Sequence, residues 1–252
     1  MKTSFSIEGK KAIVTGAARG LGRGMAEGLH DAGVDLALID VSDNIQTIAK
    51  EMGAQGARVV GVQAELSHRD ELKRSFNEAV TALGGLDILL NNAGITRWSP
   101  AEVMSETDWD IVLEVNLNSV FLLAQLAGQQ MLKQGYGKII NIASLLSFGG
   151  GYLTVGYAAS KGGVAQMTKA LANEWSGRGI NVNAIAPGYM ATEMNIPLME
   201  DPVRNKLILD RVPAGRWGLP EDLVGTLIFL SSSASDYVHG VLIPVDGGFL
   251  AR

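Results

Sequence analysis

Short runs of aliphatic and β-branched residues alternate with longer helical patterns along the whole chain. Seven runs with strand character lie at 11–15, 35–40, 57–62, 86–91, 138–143, 180–186 and 241–245. Several lack the apolar–polar alternation of a half-buried strand, which is typical of strands covered on both faces of a parallel sheet. Helical patterns lie between them, near 20–33, 44–53, 68–84, 106–134, 155–178 and 220–231. This order predicts a single α/β domain over residues 1–252, a doubly wound parallel sheet of about seven strands with helices on both faces.

The composition argues against several kinds of chemistry. The 252 residues include 21 basic and 26 acidic side chains, a net charge of −5, whereas domains that follow nucleic-acid phosphates are basic. The sequence contains no cysteine, which removes disulfides, thiol nucleophiles and cysteine-ligated zinc. His30, His68 and His239 are far apart and form no HExxH pair. We therefore expect neither a metal site nor a nucleic-acid partner.

The sequence gives no sign of a targeting or membrane segment. Residues 1–11 have no apolar core and no small-residue cleavage site of the secretory kind. No uninterrupted apolar run approaches the roughly 18 residues that a membrane-spanning helix needs. The expectation is a cytoplasmic protein without a membrane partner.

A glycine-rich turn follows the first predicted strand. Gly16, Gly20 and Gly22 are spaced GxxxGxG, with Arg19 and Leu21 between them. Glycines at such a turn let the chain bend sharply, and they let backbone N–H groups approach a pyrophosphate at the helix N-terminus. Tight strand-to-helix turns carry glycines for conformational reasons alone, but the position after the first strand favours a dinucleotide site. No GxxxxGK[ST] sequence is present, which excludes a P-loop nucleotidase.

Asp40 ends the second predicted strand, 18 residues beyond Gly22. A carboxylate near this position accepts hydrogen bonds from the adenosine ribose hydroxyls and repels a 2′-phosphate. This predicts NAD as the cofactor, with NADP disfavoured. Arg19 argues the other way, because it could pair with a 2′-phosphate, but desolvated like charges are costly and the carboxylate has more weight. The alternative is that Asp40 is only a turn residue at a strand end.

Three residues carry the predicted chemistry. Tyr157 and Lys161 are four apart on a predicted helix, so the ammonium lies on the same face as the phenol. A nearby cation favours the phenolate, and a tuned tyrosine can then exchange a proton with an alcohol or a carbonyl. Ser144 ends the fifth predicted strand, where open α/β sheets place their sites, and its hydroxyl can hydrogen-bond a reacting oxygen. A YxxxK pair alone is more often a surface pair than a catalyst.

The combined motifs resemble the short-chain dehydrogenase/reductase superfamily in order and spacing, over essentially the whole chain. They are found at 15–22, 91–94, 116, 144, 157 with 161, and 187–188. The resemblance implies a Rossmann-type fold in which Tyr157 is the general acid/base. It also implies that Lys161 lowers the pKa of Tyr157 and binds the nicotinamide ribose. Ser144 would orient the reacting oxygen, and Asn116 would hold a water for proton relay.

The same resemblance implies the residues that contact the cofactor. They are Gly16, Arg19, Gly20, Leu21, Gly22, Asp40, Glu65, Leu66, Asn92, Ala93, Gly94, Tyr157, Lys161, Pro187, Gly188, Met190 and Thr192. Glu65 departs from the aspartate usual after the third strand. Purely structural roles stay open for three of the implied residues. Asn92 and Asn116 can be buried amides that tie loops to strands, and Thr192 can be a helix N-cap.

Four stretches are similar to a group of bacterial sugar-acid dehydrogenases that act on 2-dehydro-3-deoxy-D-gluconate, namely 141–150, 172–192, 209–220 and 245–252. The similarity implies NAD-linked oxidation of the C5 hydroxyl. The expected substrate contacts are Arg97, Ser144, Leu146 and Tyr157, with Arg97 as a carboxylate anchor. Arg216 is a second basic candidate, or a structural ion pair near Glu221.

Other functions stay open at this point. Within the superfamily they are gluconate 5-dehydrogenase, polyol dehydrogenase and 3-oxoacyl-carrier-protein reductase. A non-catalytic dinucleotide sensor is a different class, and the retained Tyr157 and Lys161 argue against it.

Two segments suggest assembly and closure. The pattern at 106–134 is apolar nearly all round near 115–126, which predicts burial on most sides, by a subunit interface or by a thick core. The resemblance suggests a homotetramer that uses 106–134 and 155–178. Residues 190–215, rich in Met, Pro and mixed charge, are predicted to form a mobile substrate lid.

Overall fold

Seven parallel strands form one sheet, in the order β3-β2-β1-β4-β5-β6-β7, in a computed structural model that describes residues 4–252. The strands are β1 (Lys11–Thr15), β2 (Asp35–Asp40), β3 (Val59–Gln63), β4 (Ile88–Asn91), β5 (Gly137–Ile142), β6 (Ile180–Pro187) and β7 (Leu242–Val245). The central strands β1, β4, β5 and β6 are buried almost throughout, as strands covered on both faces of a parallel sheet are. The predicted fold class is confirmed.

Helices cover both faces of this sheet. They are α1 (Gly20–Asp31), α2 (Ile45–Met52), α3 (Arg69–Leu83), α4 (Glu106–Leu113), α5 (Ser119–Gln134), α6 (Val155–Trp175), α7 (Ile196–Met199), α8 (Pro202–Leu209) and α9 (Val224–Ser231). One apolar cluster packs α1, α2 and α9 against the sheet, and a second packs α3, α5 and α6 against the other face. The result is the three-layer arrangement of a doubly wound domain.

The predicted 106–134 helix is one helical segment with a change of winding inside it. A π-helical stretch, Glu114–Asn118, joins α4 to α5, and such stretches occur often at functional sites. By length and composition alone, Glu106–Gln134 could cross a membrane, with a mean hydropathy of 1.5 over its most apolar window. Half of that window is buried inside the protein, because α5 packs against the sheet and against α3, as a core helix does.

The strand order reverses between β1 and β4, which are hydrogen-bonded neighbours. Chain crossovers leave the sheet in opposite directions at this point, so a crevice opens outside the carboxyl ends of the strands. The turns after β1, β2, β4, β5 and β6 all lie at this edge. They contain the predicted glycine turn, Asp40, the 91–94 motif, Ser144 and the 187–188 motif.

Candidate active site

The glycine turn is built so closely that side chains are excluded from it. Gly16 and Gly20 have φ of +64° and +55°, which favours glycine. A Cβ at Gly22 would lie 2.0 Å from the Gly16 carbonyl oxygen, and one at Gly16 would lie 2.8 Å from the Ala93 Cα. The turn therefore packs directly on the loop after β4 and leaves its backbone accessible at the start of α1. This backbone cradle at a helix N-terminus fits the pyrophosphate of a dinucleotide.

Asn92 and Thr15 fix that packing. The Asn92 amide nitrogen donates to the backbone carbonyls of Thr15 and Gly16, at 2.9 and 3.0 Å. The Thr15 hydroxyl accepts from the backbone N–H groups of Asn92 and Ala93. The half-buried side chain of Asn92 thus ties two loops together, which is the structural role named as the alternative, and it holds Ala93 beside the glycine turn.

Asp40 lies at the carboxyl end of β2, beside the same turn. Its two carboxylate oxygens accept 2.9 Å hydrogen bonds from the backbone N–H groups of Ala18 and Ser42. Each oxygen keeps a further lone pair, so the half-buried carboxylate can still accept from ribose hydroxyls. Glu65, beyond β3, accepts from the Ser67 N–H through Oε1.

The predicted residues after β6 reach the glycine turn from the other side. A Cβ on Gly20 would lie 3.8 Å from the Thr192 methyl group. Arg19 and Glu193 form an exposed ion pair of 2.8 Å across this gap. Thr192 has no side-chain capping hydrogen bond, so the N-cap alternative is not supported by its side chain.

Some predicted cofactor residues have only their backbone at this edge. Leu66 and Met190 are buried in the two apolar clusters, and Leu21 packs against one of them. Gly188 follows Pro187 at the end of β6, and its Cβ would lie 2.5 Å from the Asp246 Cα. Glycine at that position therefore permits a close approach of two chain segments.

Lys161 lies one turn after Tyr157 on α6, with its Nζ 5.7 Å from the centroid of the Tyr157 ring. Nζ donates a 2.7 Å hydrogen bond to the Ile142 carbonyl at the end of β5. The side chain is 3% exposed, and burial lowers the pKa of Lys161 to about 8. The ammonium is thus fixed at the carboxyl end of the sheet, beneath the tyrosine.

The pKa of Tyr157 lies above its ordinary value in this structure, whereas the sequence predicts a lowering by the nearby Lys161 cation. Burial raises the pKa of the phenol, because desolvation disfavours the phenolate, and a hydrogen bond with Ser144 only partly opposes the rise. Ser144 itself is brought to Tyr157, as the sequence predicts.

A second serine positions the first. The Ser147 hydroxyl accepts from the Ser144 N–H at 3.3 Å and donates to the Lys161 carbonyl at 2.7 Å. The Ser144 hydroxyl accepts from the Leu146 N–H. Sequence reasoning missed Ser147, although a serine three residues after an N-capping serine is the spacing of a capping box.

Asn116 lies within the π-helical stretch and is completely buried. Its amide nitrogen donates to the Ile95 carbonyl and to the Ser160 hydroxyl, and its oxygen accepts from the Ile95 N–H. A Cβ on Gly94 would lie 3.4 Å from that oxygen and 3.7 Å from the Lys161 Nζ. Gly94, Asn116 and Lys161 are therefore neighbours, but the Asn116 side chain is largely committed to protein partners.

The two arginines considered for a substrate anion are engaged in ion pairs. Arg97 pairs with Asp108 at 3.2 Å. Arg216 binds both carboxylate oxygens of Asp222, at 2.7 and 2.8 Å, so the predicted ion pair exists but Asp222 replaces Glu221 as the partner. Asp222 also accepts from the Leu219 N–H, which turns its carboxylate back toward Arg216.

The structure adds residues on and near the loop after β4 that the sequence did not single out. Arg204 lies over the ring of Trp98, with its guanidinium carbon 5.5 Å from the ring centroid. The Thr96 and Thr154 hydroxyls are buried and have no hydrogen-bond partner in the described part of the chain. No periodicity joins these positions, because the fold alone brings the 92–100 loop to α8. Among residues 4–252, no three His, Asp or Glu side chains cluster as a metal site would.

Comparisons with known proteins bear on this arrangement. The family model described as short chain dehydrogenase matches residues 10–202. The 2-dehydro-3-deoxy-D-gluconate 5-dehydrogenase of Escherichia coli (strain K12) is 51% identical over 251 residues, 99% of each chain. Two solved structures extend the similarity to the fold.

The first is a candidate NAD(P)-dependent gluconate 5-dehydrogenase from Beutenbergia cavernae with NADP bound at low occupancy. It is 44% identical, with a TM-score of 0.95 over 98% of this chain and 99% of that one. The second is a candidate 2-deoxy-D-gluconate 3-dehydrogenase from Agrobacterium tumefaciens with bound NADP. It is 48% identical, with a TM-score of 0.91 over 100% of both chains.

Proposed function

The chain belongs to the short-chain dehydrogenase family, and from this membership we propose that it oxidises the C5 hydroxyl of 2-dehydro-3-deoxy-D-gluconate with NAD, or reduces the corresponding diketo acid. It is an oxidoreductase that acts on CH–OH groups. The observation that carries the proposal is the meeting of Ser144, Tyr157 and Lys161 at the carboxyl edge of the sheet, beside the glycine turn.

Tyr157 is proposed as the group that moves the proton. In oxidation its phenolate oxygen takes the proton of the C5 hydroxyl, and in reduction the phenol returns a proton to the carbonyl oxygen. Because burial raises the pKa of Tyr157, the protonated phenol is favoured over the phenolate. The oxidative rate should therefore rise as the pH increases.

Ser144 and Lys161 are proposed to support that step. The Ser144 hydroxyl hydrogen-bonds the reacting oxygen as its charge changes, and Ser147 holds Ser144 in place through the Ser144 N–H. Lys161 keeps a positive charge below the phenol and binds the nicotinamide ribose. Asn116 holds the Gly94 loop against α6, through Ile95 and Ser160, and its side chain is a weaker candidate for the water relay.

A nicotinamide dinucleotide supplies the ring that exchanges a hydride with the substrate carbon when it is bound. The glycine turn, Asp40 and Thr192 would hold it, because they follow or end β1, β2 and β6 at the same carboxyl edge of the sheet, and Thr192 lies beside Gly20. We propose NAD over NADP because Asp40 places a carboxylate at the end of β2, while Glu193 pairs with Arg19. Both features disfavour a 2′-phosphate.

The proposed substrate rests on the identity of relatives with that name. Five such relatives are 39–51% identical to this chain, and a 5-keto-D-gluconate 5-reductase of Escherichia coli (strain K12) is 38% identical. A sugar acid is thus favoured over a polyol or an acyl-carrier thioester. The proposal also includes a cytoplasmic homotetramer, a single catalytic domain, and closure of 190–215 over the substrate.

A substrate panel with both cofactors tests this function. Purified protein is mixed with 2-dehydro-3-deoxy-D-gluconate, D-gluconate, sorbitol or a 3-hydroxyacyl thioester, and NADH or NADPH formation is followed by absorbance. The proposal expects the highest kcat/KM for 2-dehydro-3-deoxy-D-gluconate with NAD. A higher kcat/KM for the polyol or the thioester would refute the substrate, and cofactor binding without any turnover would indicate a sensor.

A further inference from the structure

Arg204 occupies an unusual position among the basic residues of this part of the fold. It lies on α8, within the proposed lid, and its guanidinium stacks over Trp98 on the loop after β4. The residue is half-buried. Within residues 4–252, no carboxylate lies within 4.0 Å of its guanidinium, and no side-chain hydrogen bond holds it, so the five N–H donors of this cation are free of protein partners.

The basic residues around Arg204 are engaged elsewhere. Arg97 pairs with Asp108, Lys206 with Asp210, and Arg216 with Asp222. Asp201, the acidic residue nearest in sequence, accepts from the backbone N–H groups of Val203 and Arg204 as the N-cap of α8.

Arg211 also lacks a carboxylate partner in the described residues, but it lies over Phe249 at the C-terminus. That aromatic ring packs on Tyr189, away from the loop after β4. Arg204 is therefore the free cation that borders this loop.

The loop beneath Arg204 is connected to the catalytic turn. The Ser99 N–H donates a 3.0 Å hydrogen bond to the Leu153 carbonyl, and Leu153 lies four residues before Tyr157. Leu153 has φ of +60°, the only such value among non-glycine residues in 4–252. Backbone held in this region costs free energy and persists where surrounding contacts enforce it, so the 98–99 loop is joined to the turn that leads into α6 and Tyr157.

The helix that carries Arg204 is fixed as well. The Trp217 indole N–H donates a 2.8 Å hydrogen bond to the Asn205 side chain, which anchors α8 next to Arg204. Trp217 packs edge-on against Tyr189 after β6. Arg204 is thus a guanidinium carried on an anchored helix and placed over the ring of Trp98, next to the loop that hydrogen-bonds the segment before Tyr157.

We infer that Arg204, and not Arg97, binds the carboxylate of the sugar-acid substrate. This inference rests on the proposed function, which supplies an anion to be bound. A planar guanidinium binds a carboxylate through two parallel hydrogen bonds, and stacking on Trp98 limits the conformational freedom that binding would otherwise remove. Arg97 would first have to give up Asp108.

The test compares Arg204→Gln with two control variants, Arg97→Gln and Arg211→Gln. Steady-state KM and kcat are measured with 2-dehydro-3-deoxy-D-gluconate and with its neutral methyl ester. Affinity is measured separately by calorimetric titration of the acid into enzyme with NADH, a pair that cannot exchange a hydride at C5. Thermal unfolding of each variant checks that the fold is retained.

Arg204→Gln should raise KM and Kd for the acid by about 10- to 100-fold, since a hydrogen-bonded charge pair is lost. Its kcat, and its KM for the methyl ester, should stay close to wild type. Arg211→Gln should behave as wild type with both compounds, and Arg97→Gln should lower acid affinity far less than Arg204→Gln. An Arg204→Lys variant should recover part of the affinity.

If wild type and Arg204→Gln bind the acid with equal affinity, the inference is overturned. Turnover of the acid by wild type leaves the proposed function intact in that case. A large loss for Arg97→Gln with none for Arg204→Gln would assign the anchor to Arg97. If wild type neither oxidises nor binds the acid, the proposed function fails, and the inference fails with it.

Discussion

The Asp40 carboxylate accepts a 2.9 Å hydrogen bond from the backbone N–H of Ala18. This bond joins the end of β2 to the glycine turn after β1. Asp40 therefore has two separable effects, one on the shape of the turn through an acceptor atom and one on cofactor choice through its charge.

Substituting Asp40 in two ways separates these effects. Asp40→Asn removes the charge and keeps an acceptor for Ala18, whereas Asp40→Ala removes both. Both variants should raise the ratio of kcat/KM for NADP to that for NAD by about tenfold or more, because repulsion of the 2′-phosphate is lost. Asp40→Ala should also lose about 1–3 kcal/mol in the free energy of unfolding, and Asp40→Asn should lose less, because its single carbonyl oxygen can accept from the N–H of Ala18 or of Ser42 but not from both. An unchanged cofactor ratio in both variants would contradict the assignment.

Glu193 should restrain Arg19 from binding a 2′-phosphate. Both side chains of this 2.8 Å pair are more than half exposed, so the pair itself adds little stability. Glu193→Gln should lower the KM for NADP by up to about fivefold and leave the KM for NAD unchanged. It should alter the free energy of unfolding by less than about 0.5 kcal/mol. Glu200→Gln, a charge change elsewhere in the lid, is the control. An identical response of NADP kinetics in the two variants would argue against the restraint.

Lys161 should make stability depend on pH in the alkaline range. Its pKa in the folded protein is about 8, against an ordinary 10.5. The folded state therefore releases this proton before the unfolded state does, and the Lys161 contribution to stability rises as the pH increases through that window. Relative to Lys161→Met, the wild-type free energy of unfolding should increase by roughly 2–3 kcal/mol between about pH 8 and pH 10.

Urea unfolding of both proteins at a series of pH values measures the difference. The methionine variant removes the titrating group and keeps a side chain of similar length. If the free energy of unfolding differs between wild type and Lys161→Met by the same amount at every pH, a depressed pKa for Lys161 is contradicted.

Phe121 on α5 tests the proposed homotetramer. It is 41% exposed, on a helix whose opposite face packs against the sheet, and an exposed aromatic there favours an interface between copies. Phe121→Glu should shift the mass measured by light scattering from tetramer toward smaller species, with little change in subunit fold. Val103→Glu, at a position that is 69% exposed, should leave the mass unchanged. A tetramer that survives Phe121→Glu would exclude this surface.

The sheet and the turn motifs could be predicted because their signals are local. Strand β4 is buried at every residue and begins with an apolar run at 88–90, and Gly16 is required by a turn that the strand-to-helix pattern already marks. The third strand begins two residues later than expected, at Val59, because the glycines before it do not fix a strand boundary.

Properties that depend on packing could not be predicted in the same way. The pKa of Tyr157 follows from burial by segments distant in sequence, and a YxxxK spacing does not contain that information. Asp222 replaces Glu221 beside Arg216 because a hydrogen bond from the Leu219 N–H orients its carboxylate. The contact of Arg204 with Trp98 joins helix α8 to the loop after β4, and only the tertiary fold brings these two segments together.

The role of Tyr157 is tested most directly by the rate of NADH formation from NAD and 2-dehydro-3-deoxy-D-gluconate, compared between wild type and Tyr157→Phe. The phenylalanine variant keeps the ring and removes only the hydroxyl that moves the proton. We predict turnover by wild type and a kcat lower by about 10²- to 10⁴-fold in the variant, with NADH binding by fluorescence titration unchanged. Equal turnover by the two proteins would contradict the account.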